Sequence, residues 1–194
     1  VEEKEGARLI VGLSDVDSHV RREEEYARRL ALAQNKVNID ALTCIRNKYA
    51  YLDEANRLEK MVSEDRNAEF ALVILDVNEL KKVNDTSGHQ AGDKYIQDAC
   101  KLICDTFKHS PVFRIGGDEF AVVVEKGDYE NLDTLVGNMN VYNAGATRTG
   151  GLVVACGTAR HESGEDVTTV FARADQNMYA DKARLKAEKQ KLNG

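Results

Sequence analysis

The apolar residues of this chain fall into two kinds of pattern. Phe70-Ala71-Leu72-Val73-Ile74-Leu75 is an unbroken apolar run, as expected of a strand covered on both faces, and it ends on Asp76. Phe120 to Val124 and Leu152 to Cys156 follow the same pattern, and Val112-Phe113 leads through Ile115 toward a pair of glycines. Elsewhere the apolar positions take helical spacing. Lys48 to about Glu64 predicts a helix with Tyr49, Leu52, Ala55, Leu58 and then Met61 or Val62 on one face. After Gly88-His89 a longer helix is expected to run to about Phe107, with Ile96, Ala99, Cys100, Ile103 and Phe107 turned inward. A final helix is expected from near Val167 to Lys186, carrying Val170, Phe171, Ala174, Met178 and Ala180. Shorter helices are expected over 78–85 and 128–140, and a loop of small residues over 145–151. Gly116-Gly117 between two strand-like runs predicts a tight two-residue hairpin with glycine at positive φ. Such a hairpin requires antiparallel pairing, so the expected fold is α+β, with a mainly antiparallel sheet flanked by helices.

Upstream, Ala7 to Leu13 is a short apolar run, and Val20 to about Val37 is rich in Arg, Glu, Ala and Leu, a strong helix former. Tyr26, Leu30, Ala33 and Val37 follow a 4-3-4 spacing. That spacing suits the seam of a short coiled coil or a solvated amphipathic helix, and two heptads leave both open. The strand and charged helix resemble the tail of a PAS-type sensor running into a signalling helix. The expected division is therefore a sensor-like segment with a linker helix over 1–39 and a catalytic domain over 40–194.

Composition narrows the chemistry. At 194 residues there is room for one medium domain and an appendage, and a net charge of −6 argues against nucleic-acid binding. The four cysteines are scattered without a zinc-binding set, as expected for reduced thiols in a cytosolic protein. No apolar run approaches the roughly 20 residues that a membrane span needs. The acidic start (Glu2, Glu3, Glu5) does not resemble a signal peptide. The expectation is the cytoplasmic part of a longer protein, with no membrane contact by this fragment.

Three stretches are candidates to converge on one site: Asp76-Val77-Asn78, Asn84 to Asp93, and Gly116 to Glu119. Asp76 at a strand end and Asp118 in a hairpin would suit a hard divalent cation such as Mg²⁺, which takes one or two carboxylates plus substrate phosphates. Alternatively Asp76 caps the next helix and Asp118 is a turn residue. Likewise Asn84 is a candidate turn former and Asp93 a helix N-terminal acid. Lys81, Lys182 and Lys186 read, on residue type alone, as solvated charges.

The stretch Arg114-Ile115-Gly116-Gly117-Asp118-Glu119-Phe120 resembles the signature of the GGDEF family, the diguanylate cyclases. The family's Asp-x-Asp-x-Phe-Lys-x-x-Asn-Asp run followed by Gly-His and Gly-Asp is matched by Asp76, Lys81, Asn84, Asp85, Gly88, His89, Gly92 and Asp93. Asp40-Ala41-Leu42-Thr43 resembles the start of such domains, and Ala174-Asp175, Met178-Tyr179 and Lys182 resemble their last helix. The resemblance covers about residues 40 to 187.

It implies a palm-like fold shared with polymerases and nucleotidyl cyclases, in a bacterial signalling protein. It also implies condensation of two GTP into cyclic di-GMP with release of two pyrophosphates. A catalytically silent GTP-binding module is the alternative. By resemblance, Asp76, the carbonyl of Val77 and Asp118 hold Mg²⁺ (or Mn²⁺), with Glu119 assisting. Asn84 and Asp93 read guanine, and His89 lies near the ribose. The helix beginning near Asn78, with Lys81, Lys182 and Lys186, takes the β- and γ-phosphates, while Gly116 and Gly117 admit the α-phosphate. Each domain would hold one GTP, so a homodimer formed through the catalytic domains and the linker helix is implied. Two departures are Asn78 for the second Asp and Leu80 for Phe. A third is Phe107 and Ser110 at the positions of the Arg-x-x-Asp product site that many members carry.

Overall fold

A computed structural model of the chain describes Val20 and residues 38–193. The strand expected over 7–13 and the linker helix expected over 20–37, Val20 excepted, lie outside the described residues, as does the coiled-coil question. Residues 39–194 form one compact unit.

The elements run β1 (Arg46–Asn47), α1 (Lys48–Glu64), β2 (Ala71–Val77), α2 (Leu80–Ser87), α3 (His89–Thr106), β3 (Val112–Arg114), β4 (Glu119–Val124), α4 (Lys126–Glu130), α5 (Leu132–Thr149), β5 (Val154–Arg160) and α6 (Val167–Asn193). The five strands make one sheet in the order β1-β3-β4-β2-β5. Only the short β1–β3 pair is parallel; β3–β4, β4–β2 and β2–β5 are antiparallel.

The period-two alternation of the central strand sorts the core into two layers. Leu72 and Ile74 of β2 join Ala121 and Val123 of β4 under Leu58, Ala174 and Met178, so α1 and α6 cover one face. Ala71, Val73, Leu75 and Val77 face the other way, onto Ile96, Ala99 and Ile103 of α3 and Leu132 and Met139 of α5. Burial on both faces is why β2 is apolar throughout until Asp76. α6 lies almost against the backbone of β5: a Cβ on Gly157 would stand 2.0 Å from the Met178 nitrogen and 2.2 Å from the Ala174 carbonyl oxygen.

Several sequence expectations are corrected. The β3–β4 connection has four residues, Ile115 to Asp118, rather than two. The Ile115 and Gly116 N–H groups both donate to the Glu119 carbonyl, at 3.0 and 3.2 Å. Neither Gly116 nor Gly117 adopts positive φ, because the wider loop does not need it. The loop expected over 145–151 is instead the end of α5, which continues to Thr149 and stops at Gly150 with φ 72°. Asn143 holds this helix in place. Its Nδ2 donates to the Val154 carbonyl at 2.7 Å, and its Oδ1 accepts from the Val154 N–H at 3.0 Å, so a polar residue is a buried anchor. α2 begins at Leu80 instead of Asn78, because Glu79 takes φ 65°.

Candidate active site

Asp76 and Glu119 are direct cross-strand partners on β2 and β4. The Val77 N–H donates to the Asp118 carbonyl at 2.9 Å, which fixes the signature loop against the end of β2. By strand alternation Asp76 and Glu119 share the face covered by α6. There the Lys182 ammonium lies 2.7 Å from Asp76 Oδ1. Asp76 is only 5% exposed, and Oδ1 has no aligned hydrogen-bond donor despite this ion pair. Burial pushes the Asp76 carboxyl above its usual range; Lys182 opposes this and the Asp118 charge adds to it. Glu119 is raised as well, first by burial and then by the charges of Asp118, Asp76 and Asp175. A set of carboxylates that repel one another while facing a lysine is a place where positive charge is stabilised.

Glu79 starts α2 in the left-handed region and supplies no side-chain cap. The first helical N–H groups, those of Leu80, Lys81 and Lys82, therefore remain available to an anion. A cavity of about 200 Å³ beside this end is lined by Asn78, Glu79 and Tyr95, and by Lys182, Lys186 and Lys189 of α6. Lys81 is exposed on the second residue of α2.

α2 and α3 are joined through Gly88, whose φ is 84°. Asn84 projects onto Gly92 of α3: a Cβ there would lie 1.8 Å from Asn84 Oδ1. Asn84 is thereby seated next to Asp93, which is exposed, and His89 is exposed at the start of α3. So the structure draws together Asp76, Asp118, Glu119 and Lys182, and separately Asn84 with the Gly92–Asp93 turn of α3. Gly117 is exposed with open space where a side chain would be. Gly116 faces inward instead, where a Cβ would meet Glu119 Oε2 at 2.5 Å.

The family model described as Diguanylate cyclase, GGDEF domain matches residues 37–188. The chain belongs to the GGDEF family. It is 30% identical over 180 residues to the cyclic di-GMP phosphodiesterase PdeR of Escherichia coli K12, covering 90% of this chain and 26% of that protein. It is 27% identical over 150 residues to the diguanylate cyclase DgcS of Shewanella oneidensis, covering 74% and 49% respectively. The chain thus spans about a quarter to a half of the length of these relatives. Among solved structures, the coiled coil and GGDEF domain of DgcB from Caulobacter crescentus, in complex with c-di-GMP, superimposes with a TM-score of 0.70. It is 26% identical and covers 90% of this chain and 94% of that one. The palm-like α+β fold is the GGDEF fold, and synthesis of cyclic di-GMP is supported at the level of the family.

Three features of this GGDEF domain escaped the sequence. Arg114 clamps the signature loop: its guanidinium donates to Asp40 Oδ1 at 3.0 Å and to the Gly117 carbonyl at 2.7 Å. Burial would raise the Asp40 carboxyl, but the Thr43 hydroxyl and N–H and the Arg114 charge together hold it below its ordinary value. Asp40 is thus tied to the signature although 74 residues separate it from Arg114. The second feature is the Lys182–Asp76 ion pair, since the sequence offered Lys182 as a phosphate partner by resemblance or as a solvated charge, and not as a partner of Asp76. The third is the loop at 107–110. Phe107 is buried in the core, while the Ser110 hydroxyl and His109 N–H donate to the buried Asp128 at 2.7 and 3.2 Å.

The residues present fit a hard divalent cation. The donors are carboxylates and carbonyls, and the buried Asp76 Oδ1 already has a cation against it. Among the described residues no three His, Cys, Asp or Glu side chains form a metal cluster. No helix among the described residues is long and apolar enough to cross a membrane.

Proposed function

We propose that this GGDEF domain is an active diguanylate cyclase that joins two GTP into cyclic di-GMP and releases two pyrophosphates. The observation that carries this is the meeting of Asp76 and Glu119 on two directly paired strands, with Asp118 in the loop just before β4, against Lys182 and beside the uncapped start of α2. Asp76, the Val77 carbonyl and Asp118 would hold Mg²⁺ or Mn²⁺, with Glu119 orienting the set. When bound, the ion supplies Lewis-acid stabilisation of the attacking and leaving oxygens.

The other roles are those implied by the resemblance, and the positions of the residues support them. The carboxylate of Asp93 accepts from the guanine edge, and the Asn84 amide both donates and accepts there. His89 flanks the ribose. The N–H groups at the start of α2, with Lys81, Lys182 and Lys186, bind the β- and γ-phosphates. Gly117 leaves room for the α-phosphate, and Gly116 lets Glu119 sit close behind the loop. Because one domain holds one GTP, two copies face each other and the dimer geometry sets the proximity of the 3′-hydroxyl to the partner's α-phosphate. Residues 20–37 would pair the copies, in the cytoplasm.

Incubating the purified chain with GTP and Mg²⁺ and identifying the product by mass tests the proposal directly. Asp118→Asn should keep its fold and lose turnover by roughly 10² or more. Specific activity should rise with protein concentration until the dimer saturates. Near-normal product from Asp118→Asn, or full activity from a demonstrated monomer, would overturn the assignment. A silent GTP-binding module is the second reading, favoured by Lys182 sitting directly against Asp76. It predicts GTP binding with no product.

A further inference from the structure

The row of lysines on α6 does not end with the residues assigned to phosphate. Lys182, Lys186 and Lys189 follow helical spacing and line the same cavity as Glu79. The Lys189 ammonium is ion-paired with the Glu79 carboxylate, 110 positions away in sequence. Glu79 is in an awkward place. It is the residue immediately before α2, in a left-handed conformation that non-glycine residues rarely adopt, and its side chain caps nothing. An unpaired carboxylate there would repel a phosphate approaching the helix start, or fold back onto the N–H groups that the phosphate needs.

We propose that Lys189 is a positioning residue for the triphosphate, acting through Glu79. It holds the Glu79 carboxylate onto α6 and neutralises it, keeping the start of α2 open and electropositive. This rests on the proposed binding of GTP phosphates at that end of α2. Lys189 is not itself a phosphate ligand in this scheme, which separates its role from those of Lys182 and Lys186. Both partners are partly exposed (side chains 32% and 43%), so the effect is moderate and weakens as salt is added.

The test is equilibrium binding of 3′-deoxy-GTP, which lacks the attacking hydroxyl, and of GMP, to the full chain with Mg²⁺. Steady-state kinetics with GTP are measured alongside. Lys189→Gln should weaken 3′-deoxy-GTP binding about two- to fivefold, as loss of charge compensation at a helix end would. GMP binding should be unchanged, and KM should rise while kcat stays constant. Lys189→Arg should behave as wild type. Glu79→Gln/Lys189→Gln should regain wild-type affinity, because the charge needing compensation is gone. Unchanged 3′-deoxy-GTP affinity in Lys189→Gln would overturn the inference. So would a double variant as weak as Lys189→Gln, which would make Lys189 a direct phosphate ligand. If the wild-type chain bound neither nucleotide, the GTP-binding proposal would fall first and this inference with it.

Discussion

Gly92→Ala should damage nucleotide binding while leaving the fold as stable as before, or more so. The methyl group would be placed 1.8 Å from Asn84 Oδ1 and 2.9 Å from its Cγ. A carbon–oxygen contact needs about 3.3 Å, so the amide oxygen must retreat by about 1.5 Å. That shift is enough to break a hydrogen bond whose whole useful range is about 2.7–3.2 Å. The three nearest atoms to the new methyl all belong to the Asn84 side chain, which can turn aside without moving the backbone. Replacing glycine by alanine within α3 favours the helix by up to about 1 kcal/mol. Losing the Asn84 contacts to a guanine edge costs about 1–3 kcal/mol, or about 5- to 150-fold in affinity. Titration of 3′-deoxy-GTP into wild type and variant measures the loss, and urea unfolding measures stability. A variant with unimpaired affinity and undiminished preference for guanine over adenine would refute the placement of Asn84 as a reader.

Three other outcomes are expected. Gly157→Ala should destabilise the domain by about 3 kcal/mol in urea, because its methyl would strike the backbone of α6 rather than a side-chain tip. Asp40→Asn should cost about 1–2 kcal/mol at neutral pH by weakening the Arg114 clamp. Since the folded Asp40 carboxyl lies below its ordinary 3.8, that stabilisation is complete above the ordinary value and lost as pH falls through the folded one. The stabilities of variant and wild type should therefore converge in acid and separate on return to neutrality. Calorimetric titration with cyclic di-GMP should show no submicromolar site at residues 107–110, and progress curves should not flatten early. Tight binding abolished by mutating those residues would contradict this.

The layers were legible because burial writes directly into composition. The run from Phe70 to Leu75 had the pattern of a strand covered on both faces, and the helical spacing of Ile96, Ala99 and Ile103 marked the helix above it. The motifs that converge on the candidate site were legible, yet the contacts that tie them together were not. Arg114 stands in the signature itself, but nothing local indicates that its partner is Asp40. The end of α5 was missed because Asn143, Gly145 and Thr147 look like loop residues. The two tertiary bonds between Asn143 and Val154, with the burial of Ala146, favour a helix there. The hairpin glycines were misjudged for a related reason: loop length, which sets the need for positive φ, depends on where pairing resumes. Glu79 gives no local hint of its left-handed backbone, because its partner lies far along α6.

α2 has no buried residue, whereas the strands bearing Asp76 and Glu119 are among the most enclosed parts of the domain. The two halves of the candidate site therefore stand at opposite ends of the local stability scale. Amide hydrogens beside the carboxylates will exchange only when the whole domain unfolds. Those of α2 can exchange through a partial opening that leaves the sheet intact. On the proposed function, a nucleotide would enter and leave by loosening one small helix, and the end proposed to read the base would be free to drift in specificity while the end proposed for chemistry stays fixed.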